Sequence, residues 1–346
     1  MPNVLDVILA SPKGASAGDI ERLASVSRAT INRELRRLVG LGLIVPEGNG
    51  AARVYRDADP LRAIRRYFDE PHTRRRFAKY NESLLEMEPS IDLEKFSFAK
   101  SYPPLERKDL VRFLVDFSCA SSILEGGTYS ILDTQALIEY GEKAAEKPIA
   151  DMYLVLNHKS AFEYLYENLS LSSIFELNRR LTDDHGIPEL SGAPHFLDKT
   201  RQGVVRDYED VNIAFSSYSP PYRPGTGYVA KMLDKVLETA AAESNPIKSA
   251  FYLLTRIPYL QPFSDGNKRT SRALCNVPLL NAGLPPISFM DFGKKDYILS
   301  MLAFYELGDT GMFEYCFAAA YKRSCERLGL DKQVGLMDNA DAPAMR

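Results

Sequence analysis

From about Leu110 to Arg327, apolar residues return every three or four positions, and stretches that alternate every second position are few. That period predicts a body made mainly of amphipathic helices. The first sixty residues read differently. Val4 to Ala10 is a short run of helical period. After Pro12 and Gly14, Ser16 is placed to cap a second helix carrying Ile20, Leu23 and Ala24. Ser27 is placed to cap a third, Arg28 to Val39, with Ile31, Leu35, Leu38 and Val39 as its apolar stripe. Gly40 and Gly42 end that helix. Leu43 to Val45 then reads as a strand, Pro46 to Gly50 as a turn, and Arg53 to Arg56 as a returning strand.

This order of elements resembles a winged helix-turn-helix. The third helix sets Arg28, Thr30, Asn32, Arg33, Arg36 and Arg37 opposite its apolar stripe. Such a helix locks one side onto its neighbours and offers the other to phosphates and base edges. DNA is therefore one candidate partner, and a structural or protein-docking role is the other. Charge bears on the choice. The chain carries a net −3, but residues 1–76 hold 14 Lys and Arg against 9 Asp and Glu, a surplus of five positive charges, which leaves −8 for the rest.

Composition excludes several classes. With 346 residues, 45% hydrophobic and 26% charged, the chain has the balance of a folded protein and the length for two domains. No apolar run approaches the roughly 18 residues of a membrane span, and Asp6 interrupts the only leader-like pattern. Cys119, Cys275, Cys316 and Cys325 are scattered with no CxxC spacing, against zinc sites and disulfide frameworks. A cytoplasmic protein with no membrane partner is the expectation.

Candidate chemistry concentrates in Leu260-Gln261-Pro262-Phe263-Ser264-Asp265-Gly266-Asn267-Lys268-Arg269-Thr270-Ser271-Arg272. A Gly-Asn turn opens onto a helix, so its backbone amides form an anion site, and Lys268, Arg269 and Arg272 add cations. Asp265 is the only acid of the loop, suited to a Mg²⁺ that bridges phosphates. The string resembles the signature of the Fic (Fido) family, His-x-Phe-x-Asp/Glu-Gly-Asn-Gly/Lys-Arg-x-x-Arg. The resemblance spans about residues 105–325. Ser121-Ser122-Ile123-Leu124-Glu125-Gly126 is similar to that family's inhibitory motif. Gly203 to Arg206 and Val211 to Pro221 are similar to its flap hairpin, with Val211, Ile213 and Phe215 alternating.

The resemblance implies a mainly α fold: a helical core with a β-hairpin flap, here with an N-terminal winged helix. The implied organisation is a winged helix over 1–60, linker helices over 61–105, the core over 106–327 with its inhibitory helix at 118–127, and a loose tail over 328–346. It also implies ATP and Mg²⁺ as cofactors and a target protein with a modifiable Ser, Thr or Tyr hydroxyl as partner. By motif position Phe263 packs the loop, Asp265 holds Mg²⁺, Gly266 and Asn267 shape the anion hole, Lys268 flanks it, and Arg269 and Arg272 hold phosphates. Glu125, with Ser121 orienting its carboxylate and Gly126 ending the motif, pairs with Arg272 and restrains the enzyme. Tyr297 and Tyr305 on the next helix are candidates for the nucleoside. Self-modification and homodimerisation are common in the family.

Three positions depart from the pattern. Gln261 stands where the family has the histidine that accepts the proton of the attacking hydroxyl, and an amide has no such capacity. The substitution reads either as divergence toward a binding protein or as a change introduced to trap a complex. Lys268 replaces a frequent glycine and is shared with a phosphate-transferring branch. Pro278 predicts a kink in a helix from Asn267 to about Ala282. None of His72, His158, His185 and His195 is near the loop in sequence, and His195 is expected at the surface. The leading expectation is an adenylyltransferase restrained by Glu125 and weakened by Gln261. The alternatives are a nucleotide-responsive DNA-binding regulator and an enzyme that removes AMP by means of Glu125.

Overall fold

The computed structural model describes residues 2–11, 14–89 and 91–340, and the chain divides into two compact units: residues 1–76 with 215–217, and residues 77–214 with 218–346. In the first, α1 (Val4–Leu9), α2 (Ala17–Ala24) and α3 (Arg28–Gly40) pack with strands β1 (Ala15–Ser16), β2 (Ile44–Glu47) and β3 (Val54–Asp57), followed by α4 (Pro60–Asp69). The three helix starts are chemically specified. Asn3 and Ser16 form capping boxes with Asp6 and Asp19, and the Ser27 hydroxyl accepts from the Thr30 amide. Val7, Ile8, Ile20, Ile31, Leu35, Leu38 and Ile44 make one core under the antiparallel sheet β1-β3-β2.

Three readings of this unit need correction. Leu23 and Val39, placed on apolar stripes by spacing, are exposed. Each lies at the margin of a short helix whose core face is already filled by Ile20 and Ala24 or by Ile31, Leu35 and Leu38. Pro46, expected to start the turn, lies inside β2. The strand tolerates it because β2 is an edge strand, where a missing amide donor costs no ladder bond.

The second unit is helical: α5 (Ser83–Glu86), α6 (Arg107–Glu125), α7 (Ile131–Gln135), α8 (Ile149–Glu167), α9 (Ile174–Leu181), α10 (Tyr228–Ala242), α11 (Pro246–Leu260), α12 (Asn267–Leu274), α13 (Asn276–Asn281), α14 (Lys294–Leu307) and α15 (Gly311–Ala340). Its one described ladder pairs β4 (Ala78–Lys79) in parallel with β5 (Tyr218–Ser219). α11 is buried on nearly every side, from Ile247 through Leu260, as a helix apolar all round must be. α6 packs on α8, α8 on α9 and α9 on α12, which also packs on α11, and the end of α6 is thereby brought beside α12. Among the described residues no helix is long and apolar enough to cross a membrane.

Proline 278 acts further upstream than a kink at its own position. The helix after Asn267 breaks at Cys275, three residues before the proline, and α13 starts anew. Asn276 bridges the break, its side chain donating to the Arg272 carbonyl at 3.1 Å and accepting from the Ile287 amide at 2.7 Å. At the other end of the unit, the α15 backbone continues to Ala340, through most of the 328–346 stretch where a tail was expected, and residues 341–346 lie outside the described residues.

Candidate functional site

Two helix ends carry charge of the wrong sign for their own dipoles: Glu125 is the last residue of α6, at the negative end, and Lys268 and Arg269 lie in the first turn of α12, at the positive end, while Arg272 follows in its last turn. Glu125 faces these cations. Glu125 Oε1 accepts from Arg272 Nη2 at 2.7 Å, and Lys268 Nζ lies 3.4 Å from Oε2. The Glu125 and Arg272 side chains are 6% and 0% exposed, so this is an ion pair removed from water. Burial pushes the Glu125 carboxyl up, but Lys268, Arg272 and Arg269 together outweigh burial and hold it far below the ordinary carboxylate range. Burial likewise works against the Arg272 charge, and Tyr297 and Glu125 more than restore it.

Arg272 is the hub of this end. Its Nε donates to Ser121 Oγ at 2.9 Å, its Nη2 to the Ser121 carbonyl at 3.2 Å, and its Nη1 to the Tyr297 hydroxyl at 3.0 Å. Ser121 thus holds the arginine, not the carboxylate that its spacing suggested. Gly126 ends α6 at φ +108°, returning its amide to the Ile123 carbonyl, so that Glu125 is the last side chain the helix presents.

Between the two helices lies the loop. Gly266 adopts φ +79°, where an added Cβ would stand 2.9 Å from both Asn178 Nδ2 and Thr182 Cγ2, so only glycine fits. Asn267 closes the turn on itself, Oδ1 accepting from the Phe263 amide at 2.9 Å and Nδ2 donating to the Phe263 carbonyl at 2.8 Å. Phe263 is fully buried and meets Phe175 edge to face. Asn178, which sequence reasoning did not single out, fastens three segments: it donates to the Asp265 carbonyl at 2.9 Å and to Thr270 Oγ1 at 3.2 Å, and accepts from the Gly203 amide at 3.0 Å. Arg269 is buried against the His195 carbonyl at 3.0 Å and the Leu181 carbonyl, with Asp265 Oδ2 3.3 Å from its Nη2.

At the opposite end sits Gln261, the residue that terminates α11 in a left-handed conformation (φ +51°, ψ +60°). Its Nε2 donates to the Pro258 carbonyl at 2.7 Å and its Oε1 accepts from Asn267 Nδ2 at 2.8 Å. Buried Arg206 crosses behind it, donating to the Gln261 carbonyl at 2.6 Å and to the Glu209 carbonyl at 3.1 Å. A cleft of about 180 Å³ runs between the ends, lined by Glu125, Val211–Ala214, Gln261 and Ser264–Arg269.

Most of the sequence-derived residues therefore meet in one place, and some do not. Val211 and Ile213 line the cleft, and residues 211–213 form no ladder among the described residues. Phe215 belongs to the first unit, is 78% exposed and takes φ +61°. Tyr297 is fully buried between Arg272, Phe292 and Phe313, and Tyr305 is packed on Tyr218 and Tyr259. Neither is among the residues lining the cleft: both lie in the core on the buried side of α14. His195 is half-buried rather than at the surface, and burial with Arg269 nearby pushes its imidazole down. Wholly buried His158 is pushed down to about 3, first by burial and then by Arg272 and Arg269, which leaves it neutral beneath α6.

The donor set limits how a metal would be held. Among the described residues no group of three or more His, Cys, Asp or Glu surrounds a common point. Asp265, 42% exposed in the cleft, is the one loop carboxylate. That fits a hard cation held by one protein oxygen plus phosphate and water, and does not fit an all-protein cage.

Residues 168–279 match the model of the Fic/DOC family. Relatives include the protein adenylyltransferase fic-1 of Caenorhabditis briggsae, 25% identical over 212 residues, covering 59% of this chain and 39% of that protein. The protein adenylyltransferase Fic of Nematostella vectensis is 26% identical over 185 residues, covering 51% and 40%. The chain thus spans about two fifths of the length of the curated relatives it matches. Among solved structures, a Fic domain containing signaling protein from Bacteroides thetaiotaomicron superimposes with a TM-score of 0.51 at 20% identity, over 71% of this chain and 92% of that one. Fic-1 from C. elegans (residues 134–508) gives 0.50 at 19%, over 94% and 79%.

Proposed function

We propose that this chain, whose residues 168–279 belong to the Fic/DOC family, binds ATP with Mg²⁺ across the Gly266–Asn267 turn, is built to transfer AMP to a protein hydroxyl, and is restrained by Glu125. One observation carries the reading: a buried carboxylate bridges Lys268 and Arg272 at the edge of an anion-binding turn. A carboxylate held between two cations occupies the place where those cations would otherwise meet a terminal phosphate. Triphosphate and Glu125 then compete for Arg272, and the glutamate limits productive binding.

The other parts have matching tasks. Loop amides and the α12 N-terminus cradle phosphates, and Asp265 would hold Mg²⁺, which supplies charge neutralisation when bound. The unladdered 211–214 segment offers backbone donors and acceptors to an extended target strand. The target hydroxyl attacks the α-phosphorus and pyrophosphate departs toward the α12 cations. Gln261 contributes two hydrogen bonds to the loop and no base.

The test is transfer of α-³²P label from ATP with Mg²⁺ in the full chain, comparing the unaltered sequence with Glu125→Gly, Gln261→His and the double variant. Label appearing or rising on removal of Glu125 supports a restrained transferase. Absence of label in every variant, including the double, sinks the reading.

A second reading concerns the first unit, which has the element order of a winged helix. On α3, Arg28 and Arg37 are tied to Glu21 and Glu34, whereas Arg33 and Arg36 are exposed and form no salt bridge among the described residues. Free guanidinium groups beside Thr30 and Asn32 suit a DNA groove. Duplex binding that weakens with salt and drops in Arg33→Ala/Arg36→Ala supports it. No binding at low salt removes it.

A further inference from the structure

The Gln261 end of the cleft has a carboxylate one hydrogen bond behind its surface. Ser264 lines the cleft three residues after Gln261, and its hydroxyl donates to Glu209 Oε2. Glu209 is placed there by two further contacts. Arg201 holds its other oxygen, and Arg206 clamps the Glu209 and Gln261 carbonyls with one guanidinium, at 3.1 and 2.6 Å, so the two residues are backbone neighbours in space. The segment that continues from Glu209, Val211 to Ala214, lines the same cleft. Glu209 therefore stands at the junction of the loop and the segment proposed to receive the target.

We infer that Ser264 and Glu209 form a proton relay that replaces the missing base at position 261. The inference rests on the adenylyl-transfer reading and names the group that accepts the proton. As the target oxygen bonds to the α-phosphorus and the bond from that phosphorus to the bridging oxygen breaks, the target proton passes to Ser264 Oγ. The serine's own proton passes to Glu209 Oε2, and pyrophosphate leaves with the electron pair. No oxidant or reductant is required. Arg201 keeps the carboxylate oriented, so only Oε2 faces the serine. Gln261, whose amide is occupied at both ends by Pro258 and Asn267, holds the loop shape while the relay works beside it.

The experiment uses the full chain in a Glu125→Gly background and follows self-labelling from α-³²P-ATP with Mg²⁺ across ATP concentrations. Glu125→Gly alone is expected to label. Adding Glu209→Gln or Ser264→Ala lowers the maximal rate about 10²-fold or more with the ATP KM unchanged, the usual scale for losing a general base. Ser264→Thr, which keeps a hydroxyl, retains activity, and Gln261→His restores the rate in Glu209→Gln. If Glu125→Gly is silent until Gln261→His is added, the relay is refuted while the transferase reading stands. Unchanged rates in Glu209→Gln refute it too, and so does a Glu209→Gln defect that histidine does not rescue, which marks Glu209 as a support of the fold. Silence of Glu125→Gly/Gln261→His removes the transferase reading and the relay with it.

Discussion

At the Arg272 end of the cleft every charge is answered at short range: guanidinium to Ser121, Tyr297 and Glu125, and carboxylate to Lys268 as well. At the Gln261 end the Gln261 side chain is a neutral amide satisfied by the Pro258 carbonyl and Asn267, and the nearby Glu209 carboxylate meets Arg201 and Ser264. The first arrangement is bound up with stability, because a buried ion that loses its partner is strongly unfavourable. The second is not, because any side chain that offers a donor and an acceptor holds the turn. Charge at Arg272 is thus locked in by the fold, whereas the side chain at position 261 is replaceable.

The largest break in that contrast comes from Gln261→His. In the Glu125→Gly background it is expected to raise label transfer by up to about 10²- to 10⁴-fold, less if another group already takes the proton, with little change in melting temperature. Arg272→Ala works the other way. It leaves Glu125 buried with only half-exposed Lys268, and is expected to cost about 3–5 kcal/mol in urea unfolding and to abolish ATP binding.

Acid probes the same end without mutation. Because the folded-state Glu125 carboxyl is held below its ordinary value of 4.5, its contribution is complete above that pH and is lost as pH falls toward the depressed value. Unfolding midpoints measured downward from pH 5 are expected to decline less steeply in Glu125→Gln than in the natural chain. Equal slopes would show that the carboxylate does not feel its cations. The smallest effect is that of Lys268→Ala. With the lysine 39% exposed, it is expected to change stability by under about 1 kcal/mol and to loosen the restraint on ATP only slightly, as titration calorimetry would show.

What the sequence carried and what it did not follows from interaction range. The helix starts at Ser16 and Ser27 and the Gly266–Asn267 turn depend on partners within a few residues, and they were readable. Glu125 and Arg272 are 147 residues apart, and were paired through a family resemblance, although the conflict of Glu125 with its own helix dipole was a local signal. Asn178 and Arg206 act across 87 and 55 residues through side-chain-to-carbonyl bonds that leave no periodic trace. Spacing put Tyr297 and Tyr305 on a helix and on one face of it. It did not say whether that face met a nucleotide or the core, because both demand the same apolar period.

The backbone at position 261 suits more than one side chain. Left-handed φ and ψ at a residue other than glycine are held by few side chains, and histidine is among those enriched there. Glutamine and histidine codons differ only at the third base. The chain therefore keeps a backbone geometry that suits an imidazole while position 261 holds an amide, and a single base change separates the two side chains.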